Sequence, residues 1–96
     1  MRMMMKVQIP VAAGNAAIAN GTLPIVIQKA MEQLKPEAAY FFVEGGMRTS
    51  MFVFDMADSS QIPPDAEPLF QVLEASVDFR PVMNAEELQA GLGQLS

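Results

Sequence analysis

The chain has 96 residues, of which 51% are hydrophobic and 18% charged, with a net charge of −5 and neither histidine nor cysteine. That length makes one domain, residues 1–96, and six scattered basic residues leave no patch for a phosphate backbone, which excludes a nucleic-acid partner. Without His or Cys the commonest general base, thiolate nucleophile, commonest transition-metal ligands and disulfides are all missing, so no metal and no cofactor is expected and the composition suits the reducing cytoplasm.

The opening MRMMMKVQIPV is too short, and too interrupted by Lys6 and Gln8, for a signal peptide or a membrane span. No membrane partner is expected. Met3, Met5, Val7 and Ile9 alternate with Met4, Lys6 and Gln8, the period of a strand that ends at Pro10. Residues 12–22 are rich in Ala, Gly and Asn, and Gly14 to Ala19 reads as a short helical turn broken at Asn20 and Gly21. The triplet Asn20, Gly21, Thr22 matches a glycosylation acceptor, a match without meaning in a chain lacking an export signal.

A main helix follows, capped by Thr22, with Pro24 in its first turn and an apolar stripe of Val26, Ile27, Ala30, Met31 and Leu34. Pro36 stops it. The stretch AYFFVEGGMRTSMFVFDM, residues 39–56, predicts two strands folded over Gly45 and Gly46, with Glu44 opposite Met47, Val43 opposite Arg48, Phe42 opposite Thr49, Phe41 opposite Ser50 and Tyr40 opposite Met51. One side of that ribbon carries Tyr40, Phe42, Met51 and Val53, the other Phe41, Val43, Phe52 and Phe54. Both sides are apolar, so both need covering. Helices from this chain suffice for one face, and a second copy of the chain is expected over the other.

The segment ADSSQIPPDAEP, with three prolines, reads mainly as loop, with Pro68 kinking any helix there or opening its last segment; Leu69, Phe70, Val72 and Leu73 follow at helical spacing. Ser76 to Val82 alternates as a fourth strand, Val77, Phe79 and Pro81 against Asp78, Arg80 and Val82. Asn84 and Glu87 form a capping pattern for a final helix over 85–92. The fold class is therefore α+β: a ferredoxin-like βαββαβ order, a four-stranded antiparallel sheet with the helices on one face, plus a short C-terminal helix.

LFQVLEASVDFRPVM, a helix running into a strand that ends Pro-Val, is similar to the last third of dimeric α/β-barrel proteins such as muconolactone isomerases and cofactor-independent antibiotic-biosynthesis monooxygenases. AGNAAIANG, LKPEAAYF, RTSMFVFDMADSSQIP and FRPVMNAEELQAGL together resemble a group of short bacterial proteins with no established activity. The resemblance implies a homodimer whose two sheets face each other around a cleft.

Neighbouring strands 1 and 4 bring Lys6, Gln8, Asp78 and Arg80 onto the side of the sheet away from the helices. Arg80 there is an anion clamp and Asp78 a base; a charge-paired interface explains the same cluster structurally. Tyr40 offers a hydroxyl to a ligand or, more simply, buries its ring. Glu44 and Arg48 read as a solvated turn tip, and Asp55, Asp58 and Asp65 as turn and cap residues. The expected function is a homodimer holding a small, largely apolar or aromatic ligand against Lys6, Gln8, Tyr40, Phe42, Met51 and Arg80. Two alternatives stand beside it: a monooxygenase or isomerase for an aromatic or enol substrate, using Asp78, Arg80, Lys6 or Tyr40, and a non-catalytic interaction module.

Overall fold

The structure, a computed structural model, describes residues 1–95. Ser96, the last residue of the expected domain, lies outside the described residues. Alternation in the first segment produces strand β1 (Arg2–Ile9), whose Met3, Met5, Val7 and Ile9 are all buried. The hairpin forms β2 (Ala38–Glu44) and β3 (Met47–Asp55) in the expected register throughout, closed by Gly45 and Gly46 at φ 61° and 77°. Two consecutive positive φ angles define a turn whose twist matches the flanking strands. Strand β4 (Ser76–Pro81) pairs antiparallel with β1, and the sheet order is β2-β3-β1-β4. This is the ferredoxin-like arrangement.

The first crossover is more helical than its composition suggests. Helix α1 runs over Val11–Ala19, nine residues rather than one turn, because Pro10 sits just before its start and alanine dominates it. Gly21, at φ 77°, separates it from α2 (Thr22–Leu34) and is the residue flanking that helix, so Thr22 is not the cap. Its hydroxyl instead turns back to Asn20 Oδ1 at 2.7 Å. Leu34 is buried and Val26 and Ala30 pack against the core, whereas Met31 is partly exposed and Leu23 takes a core place the stripe did not include.

The proline-rich segment is the larger departure. After a short 3₁₀ turn (Ser59–Gln61), helix α3 runs over Ile62–Leu73 through all three prolines. Pro63 and Pro64 fall in the first turn, where no amide is needed. Pro68 removes one further helical hydrogen bond, and buried Leu69 and Leu73 hold the helix on the sheet regardless. Asp58 caps the 3₁₀ turn, with Gln61 bonding back in reciprocal fashion. Helix α4 (Ala85–Leu92) has the predicted Asn84 and Glu87 capping box.

All three longer helical segments cover the β1 side of the sheet that carries Met5, Val7, Phe52 and Phe54, but not all of it. Phe41 and Val43 belong to this face and remain 56% and 74% exposed, with Phe41 meeting Phe52 edge-on at 5.9 Å. The expectation that one chain's helices close one face therefore fails at β2, the edge strand. Helix α4 buries none of its residues and leaves Leu88 and Leu92 exposed, as is Leu95 in the 3₁₀ turn that follows it (Gly93–Leu95). It is tied back through Arg2, which bonds both Glu37 and Glu87. The molecule is correspondingly long, 56 Å in its greatest extent with a radius of gyration of 15.2 Å, against about 13 Å for a compact chain of this size. No helix among the described residues is long and apolar enough to cross a membrane.

Phe52 is among the largest fully buried side chains and stands at the centre of the sheet, opposite Met5. Phe52→Ala is expected to lower unfolding free energy by about 3–5 kcal/mol, measured by urea titration, a large part of the total in a domain stable by about 5–15 kcal/mol.

Candidate functional site

The helix-free face of the sheet is built from the alternate residues of four strands. Strand register sets Lys6 directly opposite Asp78, Met4 opposite Arg80 and Lys6 opposite Met51. These five side chains surround a hollow of about 250 Å3. Of the four residues that strand alternation groups on this face, Lys6, Asp78 and Arg80 line the hollow and Gln8 does not.

Their pairing is different from expected. The Lys6 ammonium is bonded to Glu44, reaching across β3 to the end of β2. Gln8 turns the same way, its Nε2 lying 3.2 Å from Glu44 Oε2 and 3.5 Å from Thr49 Oγ1. Glu44 is exposed beside the turn, as expected, and is also the ion-pair partner of Lys6. Arg48 is not a solvated tip: half-buried, it lies against Gly14 and its Nη2 donates to Asn15 Oδ1 at 3.0 Å. Asp78 and Arg80, by contrast, make no ion pair or side-chain hydrogen bond among the described residues. A guanidinium and a carboxylate that serve no intramolecular pair are free to meet something else.

The aromatic residues lie to one side of this hollow. Tyr40 pairs with Met51 on the same face, 65% exposed, and its hydroxyl has no partner among the described residues. The buried-ring alternative does not hold for it. Phe42 is half-buried and lines a second hollow of about 350 Å3 on the helix side, between α2 and the hairpin, with Leu23, Ile27, Phe41, Val43 and Arg48. The most apolar concavity beside the sheet is therefore at the uncovered edge of the helix layer, which alternation along β2 alone did not reveal.

Two buried side-chain oxygens have no hydrogen-bond partner among the described residues, Ser50 Oγ and Asp65 Oδ2. Ser50 lines the helix-side hollow. Asp65, read from the sequence as a turn or cap residue, is 7% exposed in the first turn of α3, and its Oδ1 accepts from Gln33 Nε2 at 2.6 Å. Burial pushes the Asp65 carboxyl above the ordinary aspartate value, opposed only in part by the Gln33 hydrogen bond. Asp55 and Glu87 move the other way: the Met1 ammonium holds Asp55 low, and the Asn84 amide together with Arg2 lowers Glu87. No group of three acidic side chains among the described residues is placed to hold a metal ion.

The opposite signs give a pH signature. A carboxyl with a raised folded-state pKa binds its proton more tightly in the native state, so its contribution is present below the ordinary value of 3.8 and is lost as pH rises through the raised one. Asp55 and Glu87 contribute above their ordinary values and lose that contribution as pH falls through the lowered ones. Asp65→Asn should therefore gain stability relative to the parent as pH increases from about 4 to 7, in urea unfolding at each pH; a difference independent of pH contradicts the assignment. No family model matches the chain and no curated protein is significantly similar to it, so the functional reading rests on this geometry.

Proposed function

We propose that the protein is a homodimeric binding protein of the dimeric α/β-barrel type, in which two copies bring their helix-free sheet faces together around a small, largely apolar or aromatic anion. One observation carries the reading: Arg80 and Asp78 stand without partners on a face whose flanks are Met4, Met51 and the exposed ring of Tyr40. Apolar surface of that kind seeks cover, and a two-fold pairing presents the same patch from both sides. The hollow of about 250 Å3 on one chain lies below the range of about 300–1,000 Å3 usual for small-molecule sites, and two such hollows facing each other fall within it. Leu88, Leu92 and Leu95, spaced along one side of the C-terminal helical segment and left partly or largely exposed, supply further apolar surface for the second copy.

Arg80 is the residue to recognise a carboxylate or enolate, since its planar fork bonds both oxygens and it makes no ion pair or side-chain hydrogen bond among the described residues. Lys6 supports the same charge from across the hollow while held by Glu44, Met51 lines it, and Gln8 and Tyr40 lie on the same face of the sheet, whereas Phe42 belongs to the helix-side hollow. The catalytic alternative gains nothing from the geometry, because no two of Asp78, Arg80, Lys6 and Tyr40 are joined by a hydrogen bond that orients or activates either member.

Binding of 2-naphthoate followed by its fluorescence tests the proposal. Arg80→Ala should weaken it about tenfold or more, in keeping with a lost charge-assisted pair, and Asp78→Asn should tighten it by removing a like charge. Equal binding by parent and Arg80→Ala removes the site from this face.

A further inference from the structure

On the opposite side of the molecule, between α2 and α3, lies a separate cavity of about 180 Å3. Its walls are apolar, from Ile25, Val26, Ala30, Leu69 and Val72, and Asp65 and Gln33 are the polar groups bonded to each other within it. Lys29 also lines it, one helical turn before Gln33, and makes no ion pair with Asp65.

Beyond the favourable place of an acid in the first turn of α3, Asp65 has no structural task that requires a carboxylate. It does not cap α3, since no side-chain hydrogen bond closes that terminus, and it pairs with no cation among the described residues. One of its oxygens is satisfied by Gln33; the other is buried and has no hydrogen-bond partner among the described residues. An acceptor left so costs about 1–3 kcal/mol, and more when charged, so a partner arriving in the cavity regains a large term. A ligand that fits must combine an apolar body with a single group able to donate to Asp65. An ammonium fits best, because it offsets the cost of burying the carboxylate as well as completing its hydrogen bonding, and the chain's net charge of −5 favours a cation over an anion. Size agrees: an apolar cavity of about 150 Å3 takes one benzene ring, which leaves room here for a ring and an aminomethyl arm.

We propose that the α2–α3 cavity is a second binding site, for a small apolar or aromatic primary amine, with the Asp65 carboxylate as the acceptor, turning about its side-chain bonds so that the enclosed Oδ2 meets the amine, and with the Ala30–Leu69 walls lining the ring. It is independent of the pairing of sheet faces and of Arg80.

Benzylamine is the probe, titrated into the full-length protein and followed by amide shifts in 1H–15N spectra, with toluene as the match lacking nitrogen. Shifts should centre on Ala30, Gln33, Asp65 and Leu69, and toluene should bind at least tenfold more weakly. Asp65→Asn should weaken benzylamine at least tenfold and leave toluene unchanged. Ala30→Leu, which fills the cavity with an apolar group, should abolish both while keeping the spectrum of a folded chain. Lys29→Met should tighten benzylamine by removing a like charge. Equal binding of benzylamine and toluene, an Asp65→Asn variant that binds as the parent does, no shifts at millimolar benzylamine, or shifts centred on Lys6 and Arg80 would each overturn the proposal. The last two outcomes leave the 2-naphthoate result standing, so the two sites fail separately.

Discussion

The structure depends on a strand pair that is apolar on front and back. In β2 and β3 the two-residue period puts Phe41, Val43, Phe52 and Phe54 on one side and Tyr40, Phe42, Met51 and Val53 on the other, and no rotation of the ribbon hides both. The helices resolve half the difficulty by packing on β1 and β3, where Met5, Val7, Phe52 and Phe54 become inaccessible. They stop short of β2. That edge strand keeps unsatisfied backbone groups beside exposed Tyr40, Phe41 and Val43, a combination that invites another chain.

Charge distribution follows the same division. Acidic groups near strand ends are consumed locally: Glu44 by Lys6 and Gln8, Asp55 by the Met1 ammonium, Glu37 and Glu87 by Arg2. These pairs are exposed or partly exposed and add little stability each, but they fix which groups remain unpaired. What remains on the sheet is Asp78 and Arg80, side by side with their neighbours in strand register. What remains beneath the helices is Ser50 Oγ and one oxygen of Asp65. The proposed anion and amine sites are two of the places where polar capacity is left over against an apolar wall.

Much of the fold was legible because short-range rules decided it. Alternation in β1 and β4, the paired glycines of the hairpin, and the Asn84 and Glu87 spacing each specify local geometry with little help from tertiary contacts. Only the second half of helix α3 was legible, from the spacing of Leu69, Phe70, Val72 and Leu73; its first half was not, because Pro63, Pro64 and Pro68 read locally as breakers while Leu69 and Leu73 win by burial against the sheet. The site was legible only as a set of faces. Period-2 reasoning grouped Lys6 with Asp78 and Arg80, yet the length of the lysine side chain let it cross to Glu44, a choice that strand period does not encode. Asp65 looked like an ordinary helix-start acid, and only the packing of α2 over it, with Gln33 reaching down, shows that it is enclosed.

The central claim is that a second copy covers the helix-free face, and the mass of the particle in solution measures it most directly. Light scattering on the wild-type chain at about 100 μM should report close to twice 10.4 kDa, and Met51→Lys, which places a charge at the middle of the paired faces, should return it toward one chain. A monodisperse particle of one chain mass for the wild type, with Tyr40 and Met51 open to solvent, contradicts the account.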